Sequence, residues 1–337
     1  MNLKKQAESL NIPVKYETVT ALELEGGEKK IITEKAEYNA KYAEITDDFL
    51  KYSETVFGRV STPNALADAM KYSFFAGGKR IRPVLTLAFG DALGLDKKVV
   101  MPFAFGLECI HTYSLIHDDL PSMDNDSLRR GKPTCHVKYG EATALLAGDA
   151  LLNFAFEHIL GVVSTKNEIN ALKCLADCSG YRGMVSGQVS DKESENATDK
   201  NENRLFETYE LKTGKLLTAP FAMTALLKGE DKLMPIAESI GNNFGRAFQF
   251  ADDLKDVLLS SEQTGKTSGK DARERKFTSV SVYGVEKVTD EIRLLIAKTV
   301  EDLKKIQGTE FLIRLVESID DFVGATGLKN GLSDKGK

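Results

Sequence analysis

Four aspartates, Asp118, Asp119, Asp124 and Asp126, fall within nine positions of the stretch LIHDDLPSMDND, residues 115–126, directly after an apolar run. Two carboxylates about 4 Å apart at an effective dielectric near 20 repel by roughly 4 kcal/mol. Such a cluster protonates, spreads into solvent or shares a cation. A second stretch, FQFADDLKD at 248–256, repeats the arrangement: an apolar run, paired aspartates, then another aspartate. There Asp252 and Asp256 are one helical turn apart and share a face. The first aspartates of the two stretches lie 134 residues apart. On a continuous helix Asp118 and Asp124 would diverge by about 120°, but Pro121 interrupts it and lets the chain bring Asp124 back beside Asp118.

Hard oxygen donors without His or Cys suit Mg²⁺ or Mn²⁺, and magnesium is usually held by one or two carboxylates with substrate phosphates and retained waters. The two sets therefore read as jaws around a metal-bound polyphosphate. DNDSLRRGKPTC is a poor EF-hand, lacking the glycine at the turn and the closing glutamate. A polyphosphate also needs cations from the protein. AGGKRIRP offers Lys79, Arg80 and Arg82 after a flexible Gly77-Gly78. SLRRGKP offers Arg129 and Arg130, LKTGK offers Lys212, and TGKTSGKD offers Lys266 and Lys270. His111, two turns before Asp118, shares its helix face.

These groups need a scaffold, and the composition favours helix: Ala, Leu, Lys and Glu recur, proline is scarce at 8 and tryptophan is absent among 337 residues. A net charge of −5 without a basic block argues against a nucleic-acid partner. The four cysteines lack metal spacing and read as reduced thiols; Cys174 and Cys178, at i and i+4, read as core residues. No run approaches a membrane span, and the first residues lack a signal-peptide apolar region, so a soluble, cytoplasmic protein is expected.

Residues 1–35 show no sustained period and read as an extension, with the main domain over 36–337. Apolar residues then recur every three to four positions. They predict a helix over about 37–57 and further helices near 64–75, 83–93, 99–118, 141–161, 167–187, 204–213, 216–228, 233–258, 289–305 and 309–322. The stretch SDKESENATDKNENR, 190–204, is nearly devoid of apolar residues and reads as a loop, either a plain connection or a lid.

In their order along the chain, GGKRIRP, ECIHTYSLIHDDLPSMDNDSLRRGKPTCHVKYGEATALLAGDALL, LKTGKL, FQFADDLKDV and GKTSGKD resemble the trans-isoprenyl diphosphate synthases, most closely the bacterial short-chain farnesyl and geranylgeranyl types. The resemblance spans about 45–285. It implies an all-α, single-domain helical bundle around a deep central cavity, usually a homodimer, condensing isopentenyl diphosphate head to tail onto an allylic diphosphate. Carried over by motif, Asp118 and Asp124 would bridge two magnesium ions and Asp252 would hold a third, with Asp119 and Asp256 as nearby or water-mediated supports. Arg129, Lys212 and Lys266 would contact the allylic diphosphate; Lys79, Arg82, His111 and Arg130 would hold the isopentenyl diphosphate.

Ionising an allylic C–O bond calls for stabilising a highly charged leaving group, which metals and Lys/Arg clamps provide without a protein nucleophile. The cation needs a dry cavity with nearby dipoles, for which Thr213, Gln249 and the Lys212 carbonyl are candidates. Released pyrophosphate can take the final proton. Ser114 lies one turn below Asp118 with Tyr113 one residue further, so the Tyr113 ring can floor the cavity. In the family, an aromatic there with the two-residue insertion of DDLPSMD points to a fifteen-carbon farnesyl product. Departures from the pattern are Lys255 in place of an apolar residue, KFTSVSVYG without the usual aromatic-proline, and the C-terminal GLKNGLSDKGK. The alternatives are the same chemistry stopped at ten or twenty carbons, a non-catalytic helical subunit, and a terpene cyclase, which would need no isopentenyl diphosphate site.

Overall fold

The structure is a computed structural model and describes residues 26–60, 65–195, 201–258 and 277–325. Among these, helices α1 (Gly26–Gly58), α2 (Ala65–Phe74), α3 (Ile81–Ala92) and α4 (Lys97–Asp118) precede a two-stranded antiparallel ribbon of β1 (Leu128–Arg129) and β2 (Lys132–Pro133). Then follow α5 (Cys135–Tyr139), α6 (Glu141–Leu160), α7 (Lys166–Ser179), α8 (Met184–Glu195) and α9 (Glu202–Tyr209). A π-helical turn at Glu210–Gly214 leads into α10 (Lys215–Lys228), α11 (Leu233–Leu258), α12 (Ser279–Leu303) and α13 (Glu310–Ala325). The expected all-α class holds.

The chain divides into two compact units, residues 1–84 with 104–155, and 85–103 with 156–337. In the first, the buried rings of Phe57, Phe74 and Phe105 make the core: Phe57 lies 4.9 Å from Phe74 and 5.7 Å from Phe105 between centroids, and the half-buried Phe154 lies 5.7 Å from Phe105. In the second, α10 is buried on nearly all sides, which makes it a central helix. It packs on α7 and α11, and α11 packs on α12. Each ring or aliphatic side chain so buried contributes roughly 1.5–3 kcal/mol.

Several boundaries differ from expectation. The first described helix begins at Gly26 rather than near 37, and α12 begins at Ser279 rather than near 289. At its start the Thr278 and Ser281 side chains each accept from the other's backbone N–H, satisfying first-turn donors that apolar periodicity does not reveal. The window 167–187 is two helices, separated at Gly180–Gly183, where the Gly183 amide donates to the Gly180 carbonyl. Of the stretch 190–204 read as loop, residues 190–195 complete α8, 196–200 lie outside the described residues, and 201–204 cap and begin α9. The polarity of 190–195 is compatible with helix because partners face them: Asp191 pairs with Lys212, Glu193 with Arg204, and Ser190 hydrogen-bonds Thr208 at 2.7 Å. Contrary to expectation, α4 is long and apolar enough to cross a membrane; it is buried over most of its length, as a core helix is. Cys109, Cys135 and Cys178 are buried thiols and Cys174 is partly so.

Candidate active site

In the first unit α4 ends at Asp118, and the chain turns through Pro121 to return. The Asp124 amide donates to the Asp118 carbonyl at 2.8 Å and the Asn125 amide to the Leu120 carbonyl at 3.0 Å. The six-residue spacing thus closes on itself as Pro121 suggested, with Asp118 and Asp124 both half-buried. Asp119 behaves differently. It is buried, and Arg129 grips it with Nε 2.8 Å from each carboxylate oxygen and Nη2 2.6 Å from Oδ1. Burial alone would lower the Arg129 pKa; the Asp119 hydrogen bond and charge, with Asp118 and Asp126, raise it instead. The structure therefore joins to each other an aspartate expected near the metal and an arginine expected on diphosphate.

The ribbon turn places Arg130 at φ +55. Its guanidinium donates to the Gly77 carbonyl and lies against Gly78, where a Cβ would sit 2.5 Å from Cζ. With φ at +107, Gly78 admits no other residue without strain. Arg80, also at positive φ, is buried: it pairs with Glu108 at 2.7 Å and donates to the Phe74 carbonyl. Tyr42 donates to the Lys79 carbonyl, so the Lys79–Arg82 segment is pinned at several points. Burial, then the charges of Arg82, Arg130, Arg129 and Arg80, hold the His111 pKa well below the ordinary imidazole value. Burial likewise brings Arg130 down to about 10, helped by neighbouring arginines and opposed by Glu108. Lys79, Arg82, His111 and Arg130 are thus carried by one framework, and the sequence reading missed Glu108 and Tyr42, the residues that brace it. Below Asp118, Tyr113 is buried with its ring 5.7 Å from that of His117, and burial with the Asp118 charge pushes its hydroxyl up to about 12. Ser114 donates to the His111 carbonyl at 3.0 Å.

The second unit carries the other set. Lys212 and Thr213 sit on the π-helical turn, a distortion that recurs at functional sites. Helix α8 approaches it so closely that a Cβ on Gly187 would lie 2.2 Å from the Lys212 nitrogen. Lys212 Nζ meets Asp191 at 2.5 Å. Thr213 donates to Gln249 Oε1 at 2.8 Å, and Gln249 Nε2 donates to Asp253 Oδ1 at 3.0 Å. Asp253 is buried and accepts from the Tyr209 hydroxyl at 2.6 Å and from the Ser279 amide and hydroxyl at 2.9 and 2.5 Å. Burial raises its pKa against the lowering effect of these bonds. Asp252 is exposed and pairs with Lys255 at 3.0 Å, and Asp256 is half-buried. Lys266 lies outside the described residues. Sequence reading missed Asp191, Asp253, Tyr209 and Ser279.

Among the described residues, no three His, Cys, Asp or Glu side chains form a metal-binding group. Magnesium does not require one, since phosphate and water complete a shell begun by one or two carboxylates. Asp118 with Asp124, and Asp252 separately, offer oxygens of that number and hardness, so the residues present fit the ion.

The polyprenyl synthetase family matches residues 63–315. Over 247 residues the chain is 43% identical to a geranylgeranyl diphosphate synthase of Cyanophora paradoxa, covering 72% of this chain and 82% of that one. It is 43% identical over 244 residues to a farnesyl diphosphate synthase of Micrococcus luteus, covering 72% and 84%. A geranyltransferase from Helicobacter pylori, solved with magnesium and isoprenyl diphosphate, shares the fold with a TM-score of 0.70 at 32% identity, covering 86% of this chain and 97% of that one. The family match runs through both aspartate sets and the basic groups between them, and the chain belongs to the polyprenyl synthetase family.

Proposed function

We propose that this prenyltransferase condenses isopentenyl diphosphate head to tail with dimethylallyl and then geranyl diphosphate and stops at farnesyl diphosphate. Short-chain prenyl diphosphate synthesis comes with the family; the fifteen-carbon stop is the finer reading. The observation that carries it is Tyr113, buried one residue beyond Ser114 on the helix that ends at Asp118. The relatives bear both farnesyl and geranylgeranyl names, so product length is the quantity to measure.

In this reading Asp118 and Asp124 would hold two magnesium ions and Asp252 a third, with Asp256 as a nearby support. Bound magnesium would neutralise the departing pyrophosphate and so favour ionisation of the allylic C–O bond. The chain's own groups do the rest. Arg129, held in place by Asp119, presents a fixed charge to the allylic diphosphate, assisted by Lys212 and Lys266. Lys79, Arg82 and Arg130 hold the isopentenyl diphosphate, and neutral His111 contributes a hydrogen bond rather than a charge. Thr213 and Gln249 supply oxygen dipoles to the carbocation, and Asp253 fixes the orientation of the Gln249 amide. The final proton leaves with pyrophosphate, so no protein base is needed.

The test is incubation of the pure protein with isopentenyl and dimethylallyl diphosphates, with and without Mg²⁺, and mass spectrometry of the products. Farnesyl diphosphate formed only with the metal is expected. Twenty-carbon product would replace the farnesyl reading with the geranylgeranyl one, and no condensation would overturn the enzyme reading altogether.

A further inference from the structure

We infer that Lys255 is an internal competitor for the metal at Asp252; the inference rests on Asp252 being a metal ligand, as proposed above. Lys255 Nζ stands 3.0 Å from Asp252 Oδ1. Phe248, Asp252 and Lys255 lie at i, i+4 and i+7 on α11 and share one face, and the Lys255 ammonium is 5.6 Å from the Phe248 ring centroid. The lysine is therefore held along the stripe that presents Asp252.

The neighbouring carboxylate offers no substitute. Asp253 is buried and committed to Tyr209, Ser279 and Gln249. A divalent ion at Asp252 either takes Oδ1 from the ammonium or binds the other oxygen beside that positive charge. Both effects weaken metal binding and both are screened by salt. A bound diphosphate gives the displaced ammonium another anion to face, so the handicap shrinks when diphosphate is present. The pair is solvent-accessible, and exposed pairs of this kind shift binding constants by about two- to fivefold.

The experiment is a Mn²⁺ titration of the full chain, read by loss of the free-ion electron paramagnetic resonance signal, at low and high ionic strength, with and without inorganic pyrophosphate. The manganese bound by wild type and lost in Asp252→Asn defines the class of interest. Lys255→Leu is expected to bind that class about two- to fivefold tighter at low salt, with the gain reduced by salt and by pyrophosphate, while Lys255→Arg stays near wild type. A Lys255→Leu curve equal to or weaker than wild type, with the class still lost in Asp252→Asn, overturns the inference alone. An Asp252→Asn curve identical to wild type overturns the reading beneath it.

Discussion

Arg129 binds Asp119 through two guanidinium nitrogens, with Nε 2.8 Å from both carboxylate oxygens, while the adjacent Asp118 ends its helix half-buried. The second motif divides its pair the same way: Asp253 is buried in hydrogen bonds and Asp252 is exposed. In each pair the second carboxylate belongs to the scaffold, and the proposed function assigns the first to the metal.

That division gives the first prediction. Asp119→Ala strips the largely buried Arg129 of its hydrogen-bonded carboxylate and leaves it only the more distant Asp118 and Asp126 charges, a loss at the lower end of the roughly 3–5 kcal/mol for breaking a buried pair. Chemical denaturation should show that loss. Asp118→Asn should unfold close to wild type yet form no product with Mg²⁺. Equal stability losses in the two variants would contradict the assignment.

The return of Asp124 to Asp118 was legible because proline acts locally: Pro121 stops a helix whatever surrounds it. The two roles within each aspartate pair were not legible. Asp253 is fixed by Ser279 and Tyr209, which are 26 and 44 residues away, and nothing in DDLKD distinguishes it from Asp252. Asp191 was missed for another reason, since its polar surroundings suggested loop. A signal was present in the spacing of Met184, Gly187, Asp191 and Ser194, one helical face on which the first two are buried. The buried Glu108 had no signature of its own; its partner Arg80 read as one more cation offered to the polyphosphate, whereas the fold buries both as a pair.

Gly187 carries the second prediction. Its missing side chain admits the backbone of Lys212, and alanine would place a Cβ 2.2 Å from the Lys212 nitrogen and 2.5 Å from its Cα. Overpacking of this kind costs about 1–3 kcal/mol, and it displaces the turn that bears Lys212 and Thr213. Gly187→Ala should lower both the melting temperature and kcat. Gly58→Ala, where nothing lies within 4 Å, is the control and should change neither.

The third concerns pH. With its pKa held well below 6.5 by burial and four arginines, native His111 stays neutral while the unfolded chain takes up a proton below about 6.5. The unfolded state then binds more protons, so stability is complete above 6.5 and declines as pH falls toward the native pKa, by up to about 1.4 kcal/mol per unit. Denaturation of wild type and His111→Gln at pH 7.5 and 5.5 should show a smaller decline in the variant by that amount. Parallel pH profiles would mean that His111 is protonated in the native state.

The last prediction tests the cavity floor. The phenol of Tyr113 is buried and set against His117, five residues before Asp118 on the same helix. In the proposed reading the growing tail descends from the aspartates past Ser114 to this ring. Tyr113→Ala removes the ring and should move the product distribution from fifteen carbons toward twenty and beyond, measured by mass spectrometry after reaction with dimethylallyl and isopentenyl diphosphates. Tyr113→Phe keeps the ring and should keep the wild-type length, which separates ring volume from the hydroxyl. Truncating a buried aromatic costs about 3–5 kcal/mol, so yield is expected to drop at elevated temperature. Chain length is a ratio of products and survives that loss. An unchanged ratio in folded Tyr113→Ala would exclude Tyr113 as the stop.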